Sequence, residues 1–269
     1  MIFSLNPRMV PIPAGHFMMG PHPHYGFDAA EVPPQHRVDL VGFLISQTPI
    51  TQAQWREVAN WQPCDGERWH RELDPNPSCF QGERARLLKG ETNTDQRPVE
   101  RVKWHDAMEF CSRLSQRTGR DYTLPSEAQW EYACRAGSTT PFAFGETITP
   151  DLANYDSPFT YGSGPKGEHR GQTTPVGSFP ANAWSLQDMH GNVYEWCLDH
   201  WHRNYEGAPK DGRAWLDPKA GDDTSRVLRG GCWHSLPGTC RSIYRSQNVS
   251  TCASDCCGFR VVRNSSDQH

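Results

Sequence analysis

The sequence lacks any apolar run long enough to cross a membrane. Its longest, such as residues 38–45, fall far short of the ~20 residues that a spanning helix needs. Residues 1–10 lack a basic segment followed by an apolar one, so no signal peptide is expected and the expected compartment is the cytoplasm. A basic excess is missing too: 27 Lys and Arg stand against 31 Asp and Glu, for a net charge of −4 and a pI of about 6.3. Nucleic-acid-binding domains usually show a basic face and a pI above about 9, so neither nucleic acid nor a membrane is expected as a partner. No G-x-S-x-G, H-E-x-x-H or P-loop motif is present. Gly162, Ser163 and Gly164 run into Pro165 and Lys166 and not into a helix, which excludes a phosphate cradle there. No repeat recurs at a fixed period. The ten cysteines include no C-x-x-C pair, so their spacing predicts neither a zinc ribbon nor a redox motif.

What is present is a chain of 269 residues, expected to form a single domain over 1–269. Its 23 Gly and 22 Pro predict a loop-rich fold. Ten Trp, 8 Tyr and 11 Phe supply large side chains to pin those loops, which argues against disorder. Residues 9–20 read as a short strand or hairpin, and 37–46 have strand composition. Thr51 with Gln54, and Ser126 with Gln129, are capping-box pairs that predict helices over 51–61 and 126–136. Trp104, Ala107, Met108, Cys111 and Leu114 share one face of a helix over 104–118, with Gly119 as its stop. Residues 62–97 show no period and read as an irregular insertion. Short strands are expected at 122–124, 192–196 and 258–262. Two or three helices followed by a loop-dominated half with short antiparallel strands predict an α+β fold. Asp106, Glu127 and Glu131 fall on predicted helices and read as solvated or capping. His22 with His24, and His200 with His202, read as solvated loop pairs.

The segments PIPAGHFMMG, ITQAQW, RPVERVKWHDAMEFCSRL, YTLPSEAQWEYACRAG, TTPVGSFPAN, DMHGNVYEW, RVLRGG and GFRVV occur in that order. Together, over about residues 9–263, they resemble the formylglycine-generating-enzyme/sulfatase-modifying-factor family. The resemblance implies a variant of the C-type lectin fold. The enzymes of that family oxidise a cysteine of a substrate protein, using copper held by two cysteines five residues apart; thiolates suit cuprous ion. The second of those positions falls on Cys240, but the first falls on Ser235, so two-thiolate copper is not expected. Formylglycine-generating chemistry at Cys240 remains the alternative function. A second branch, iron-dependent sulfoxide synthases, takes histidines from an extra helical domain for which the chain has no spare length.

The stretch Cys232–Cys257 holds five of the ten cysteines and mixes Cys, Ser, Thr, His, Asn, Asp and Val in a series that neither a strand nor a helix would need. Lys, Glu, Gln, Met and Trp make up 48 of the 269 residues, so about five would fall in this stretch on composition. Only Trp233 and Gln247 do. Codons ending in a pyrimidine encode none of those five types, and such codons arise when the adenines of AAC or AAT are randomised. In this the stretch is similar to the variable proteins of diversity-generating retroelements, a branch of the same fold family. That resemblance implies a ligand-binding protein whose C-terminal face, 232–257, meets a protein or other macromolecule. One exposed patch is then expected from Cys232, His234, Ser235, Leu236, Thr239, Tyr244, Ser246, Asn248, Val249, Cys252, Ser254, Asp255 and Cys256. Trp233 and Arg241 are expected as supports. The family resemblance also implies structural calcium. One site would take the Asp188 and Glu195 carboxylates with the Gly191 and Val193 carbonyls; a second would take Asn154 and Glu168 with the Tyr155 and Arg170 carbonyls. Oxygen donors suit calcium.

Overall fold

The computed structural model describes residues 6–21 and 35–264, so His22 and His24 lie outside the described residues. Three helices carry the signals read from the sequence. In α1 (Gln52–Ala59) the Thr51 hydroxyl accepts from the Gln54 N–H at 3.2 Å, and the Gln54 side chain accepts from the Thr51 N–H at 3.0 Å. Ser126 and Gln129 make the same reciprocal pair, at 3.0 and 2.9 Å, before α3 (Glu127–Arg135). Each such cap satisfies N–H groups that the first turn leaves unpaired, and losing one costs ~1 kcal/mol. The long helix α2 (Trp104–Thr118) stops at Gly119, whose φ of 66° is the left-handed conformation glycine adopts without strain.

Strands β1 (Met9–Ile12), β4 (Phe43–Ser46), β10 (Val262–Asn264) and β5 (Tyr122–Thr123) form an antiparallel sheet in the order β1-β4-β10-β5. Residues from both ends of the described chain thus meet in one sheet. Strands β2 (Gly15–Met19) and β3 (His36–Leu40) pair separately. Residues 9–20 are therefore not a hairpin, because their two strands join different sheets. The third sheet runs β8 (Arg245–Val249), β7 (Ser225–Arg229), β6 (Tyr194–His200), β9 (Cys257–Gly258), with only β6–β9 parallel. The strand expected at 192–196 is longer and later, and His200 is its last residue. The stretch 232–257 is also not structureless: it holds a 3-10 turn (Pro237–Cys240) and β8. β8 is an edge strand with half-buried and exposed side chains, where a polar series costs little because one face meets water.

One apolar cluster joins α1, α2 and the third sheet through Trp55, Phe110, Leu114, Trp196 and Phe259; a second joins α3 to all three sheets through Phe43, Ile45, Val38, Trp130 and Val227. Their buried indoles keep a partner: Trp55 Nε1 donates to the Asp74 carbonyl, Trp104 to Cys197 and Trp196 to Val102, at 2.8–3.0 Å. The irregular stretch 62–97 is pinned by Glu67 to Arg117, by Glu91 to the buried Arg97, and by Trp69 under the Arg113 guanidinium.

Glu127 and Glu131 are not solvated. They are 3% and 0% exposed, and both face Arg229 of β7, itself fully buried. Arg229 Nη1 lies 2.8 Å from Glu127 and Nη2 lies 2.6 Å from Glu131. Arg245 of β8 adds a second contact to Glu127 at 2.6 Å, and Arg135 pairs with Glu131 at 2.9 Å. Burial alone would raise the Glu127 carboxyl, but Arg245 and Arg229 outweigh it and hold it below its ordinary value. Asp106 does sit in the first turn of α2, where it pairs with Arg71 at 2.6 Å.

Candidate functional site

β7 is followed by Gly230 and Gly231, with φ of 96° and 78°. A Cβ on Gly231 would sit 2.6 Å from the Cys240 sulfur, so only glycine lets the chain fold back here. That reversal launches the C-terminal segment. It passes through the 3-10 turn, runs out along β8 at the sheet edge, and returns through residues 250–256 to β9.

The thirteen residues expected on the exposed patch divide by burial. His234, Leu236 and Val249 are exposed, the latter two at 50% and 44%. Thr239, Tyr244, Ser246, Asn248, Cys252, Ser254, Asp255 and Cys256 are half-buried. Cys232 and Ser235 do not belong to an exposed patch: they are 0% and 6% exposed. The cause is a turn in which the Ser235 hydroxyl accepts from the Cys232 N–H at 2.8 Å and packs against its sulfur at 3.3 Å. Trp233 is half-buried, edge-on to Phe80, and its indole N–H donates to the Asp255 carbonyl at 3.2 Å. Arg241 is half-buried, and its Nε donates to the Gly238 carbonyl at 2.6 Å. Beneath the segment, Pro237, Cys240 and Ser242 are buried. A cavity of about 460 Å³ opens beside it, lined by Arg241 and Ile243 together with Tyr132, Arg135, Trp184 and Thr140.

Cys240 packs among Phe142, Ile148, Ala153 and Tyr155. Burial pushes its thiol well above the ordinary range, so it is held neutral. The residue that fixes this turn is one that sequence reasoning passed over. His190 is buried, its Nε2 accepts from the Ala143 N–H at 3.0 Å, and its Nδ1 therefore donates to the Cys240 carbonyl at 2.8 Å. Burial lowers this imidazole to about 4, which keeps it neutral for both bonds. With a serine hydroxyl at one of the two positions, hydrogen-bonded to Cys232, the pair does not fit a two-thiolate copper centre.

The expected calcium ligands are partly open. Asp188 and Asn154 are buried, and Asp188 Oδ1 and Asn154 Oδ1 each lack a hydrogen-bond partner. A buried acceptor without a donor is what a hard cation would satisfy. Gly191 turns under the Asn154 carbonyl, with no room for a Cβ, and Val193 is buried. Glu195 is already engaged. Arg260 holds its two oxygens at 2.6 and 2.8 Å, and the Trp130 indole donates at 2.6 Å. It therefore does not present a free carboxylate. Tyr155 is buried beside Asn154, whereas Glu168 is exposed and Arg170 turns its guanidinium to the Pro150 carbonyl at 2.8 Å. The second pair, His200 and His202, is not a solvated loop. His200 is buried and its Nδ1 accepts from the Asp217 N–H at 2.8 Å, and the His202 ring stacks on Trp215 at 3.6 Å.

The sequence profile of the sulfatase-modifying factor enzyme 1-like domain family matches residues 3–265. The serine/threonine-protein kinase pkn1 of Chlamydia caviae is 32% identical over 232 residues, which are 86% of this chain and 34% of that protein. The chain thus spans about a third of the length of such curated relatives. Among solved structures, PvdO from Pseudomonas aeruginosa is 34% identical with a TM-score of 0.75, over 96% of this chain and 94% of its own. Treponema denticola variable protein 1 also superposes with a TM-score of 0.75, at 24% identity, over 97% and 98% of the two chains. At that identity the likeness is one of fold.

Proposed function

The chain belongs to the sulfatase-modifying factor enzyme 1-like family and has its C-type lectin-like α+β fold, and from that premise we propose that it is a ligand-binding protein and not a formylglycine-generating enzyme. One observation carries this reading. The position where copper chemistry needs a first thiolate is Ser235, a buried hydroxyl hydrogen-bonded to Cys232, which leaves Cys240 without a partner thiolate there. The residues that remain accessible near this point are those of segment 232–257. His234, Leu236, Tyr244, Asn248 and Val249 form its candidate contact set, and a few anchors of this kind usually dominate a binding face. The adjoining cavity offers a place for one projecting group of the ligand.

The same segment lacks the residue types that pyrimidine-ending codons cannot encode, except Trp233 and Gln247. We read it as a diversified face, on a scaffold that a variable protein also uses. Its target is then a macromolecule particular to this variant. Calcium belongs to this proposal as a structural ion, with the open Asp188 oxygen marking the first expected site and the open Asn154 oxygen the second.

The test offers the copper-loaded protein a cysteine-containing sulfatase-motif peptide and looks for aldehyde by mass spectrometry. No aldehyde is expected. Turnover that Cys240→Ser abolishes would establish the oxidoreductase instead, the reading that family membership alone supports.

A further inference from the structure

Three chemistry-bearing side chains converge where the segment begins and ends. The sulfurs of Cys232 and Cys256 and a ring nitrogen of His234 all lie within 4.8 Å of one another. We propose that Cys232, His234 and Cys256 form a binding site for one thiophilic metal ion, zinc by its chemistry. Two sulfurs and one imidazole are a donor set that zinc takes with three protein ligands and a fourth, open position. Calcium, which takes oxygen donors, is not served by it.

The geometry needs little change. Tetrahedral zinc, with Zn–S of ~2.3 Å and Zn–N of ~2.0 Å, sets its ligands roughly 3.3–3.8 Å apart, so the three atoms must close by about 1 Å. His234 is exposed and can supply the movement by changing rotamer. Cys232 is fully buried and Cys256 half-buried, which gives a sulfur floor with the imidazole on the solvent side. The backbones that carry the ligands are already joined, because the Trp233 indole donates to the Asp255 carbonyl at 3.2 Å. Cys256 also has the Ser254 hydroxyl at 3.0 Å and the Cys257 sulfur at 3.8 Å, which hold its sulfur in place.

Spacing along the chain hides this site, since its ligands stand at opposite ends of the stretch and share no C-x-x-C motif. An ion there would clip the stretch closed. The inference does not depend on whether the stretch is diversified.

The test uses the full chain, kept reduced with a phosphine and stripped with EDTA, then titrated with zinc against a chromophoric chelator. Cobalt(II) in place of zinc reports thiolate ligation by its charge-transfer absorption in the near ultraviolet. One equivalent is expected. His234→Ala and Cys256→Ser should each weaken binding by at least about 10-fold. Cys252→Ser should bind as the parent does, since that sulfur is already held by Asn248 Nδ2 at 3.1 Å. His234 is exposed, so His234→Ala gives a readable result even if a cysteine variant fails to fold. The proposal is overturned if the reduced chain takes up no zinc, if binding survives His234→Ala and Cys256→Ser unchanged, or if Cys252→Ser loses it equally.

Discussion

The packing between α3 and β7 and the segment that follows it differ in what holds them. Between α3 and β7, Glu127, Glu131, Arg135 and Arg229 bury their charges against one another, and Arg245 closes the group from β8. Each carboxylate has two guanidinium partners, and Arg229 is the one that both share. In the segment, His234, Leu236 and Val249 point to water, and most of the other face residues are half-buried. Its fixed points are few: Ser242, whose carbonyl accepts from Arg229, Cys240, whose carbonyl is held by His190, and Arg245 itself. The segment's backbone is thus anchored from below by buried polar contacts, which leaves its outward side chains with few packing partners.

The largest effect that would break this contrast is expected at the centre of the charge group. Arg229→Met removes the partner of two buried carboxylates and should cost about 3–5 kcal/mol, read as a shift of the urea midpoint. A loss below 1 kcal/mol would show that the group is not a support. Next comes calcium. An ion bound only by the native state, present at 100 times its Kd, stabilises by about 2.7 kcal/mol. EGTA should therefore lower the melting temperature, calcium should restore it, and Asp188→Asn should reduce the difference at the first expected site and Asn154→Ala at the second. A melting temperature indifferent to calcium would sink both sites.

A smaller effect separates the charge group by pH. Asp199 accepts from the Glu127 and Trp215 N–H groups at 2.7 and 2.8 Å, and burial, with Glu127 nearby, pushes its carboxyl up from 3.8 to about 7. The folded protein therefore keeps this proton where the unfolded chain has lost it. Its contribution is fully present below pH ~4 and is lost as the pH rises to about 7. Asp199→Asn should remove that slope from the variant's own stability, so that the difference between parent and variant changes with pH between about 4 and 7. It also turns one amide N–H against a backbone N–H and costs about 1–3 kcal/mol. A parallel pair of stability curves would contradict the assignment. The smallest effects belong to the face: Leu236→Ser, Asn248→Ser and Val249→Ser should each stay within about 0.5 kcal/mol of the parent.

The sequence made one side of the contrast legible and hid the other. The helices were readable because their signals are local. Thr51 with Gln54, Ser126 with Gln129, and Gly119 act within one turn. The charge group was not, because Glu127 and Glu131 meet Arg229 and Arg245 only after α3 packs on the third sheet, and on their own helix they look like solvent-facing acids. β8 escaped notice because an edge strand needs no apolar alternation. Cys232 and Ser235 were placed on the surface because composition and codon logic see residue types but not the turn that buries them. Glu195 was read as an open calcium ligand because Arg260, which occupies it, lies far along the chain.

The account rests most on the tolerance of the face, and one library measures it directly. His234, Leu236, Thr239, Tyr244, Asn248 and Val249 would be randomised together with pyrimidine-ending codons, and the displayed variants sorted by resistance to protease. The account predicts that most variants remain as resistant as the parent, while a matched library at Glu127, Glu131 and Arg229 loses nearly all resistant members. A face library that unfolds as readily as the charge-group library would contradict it.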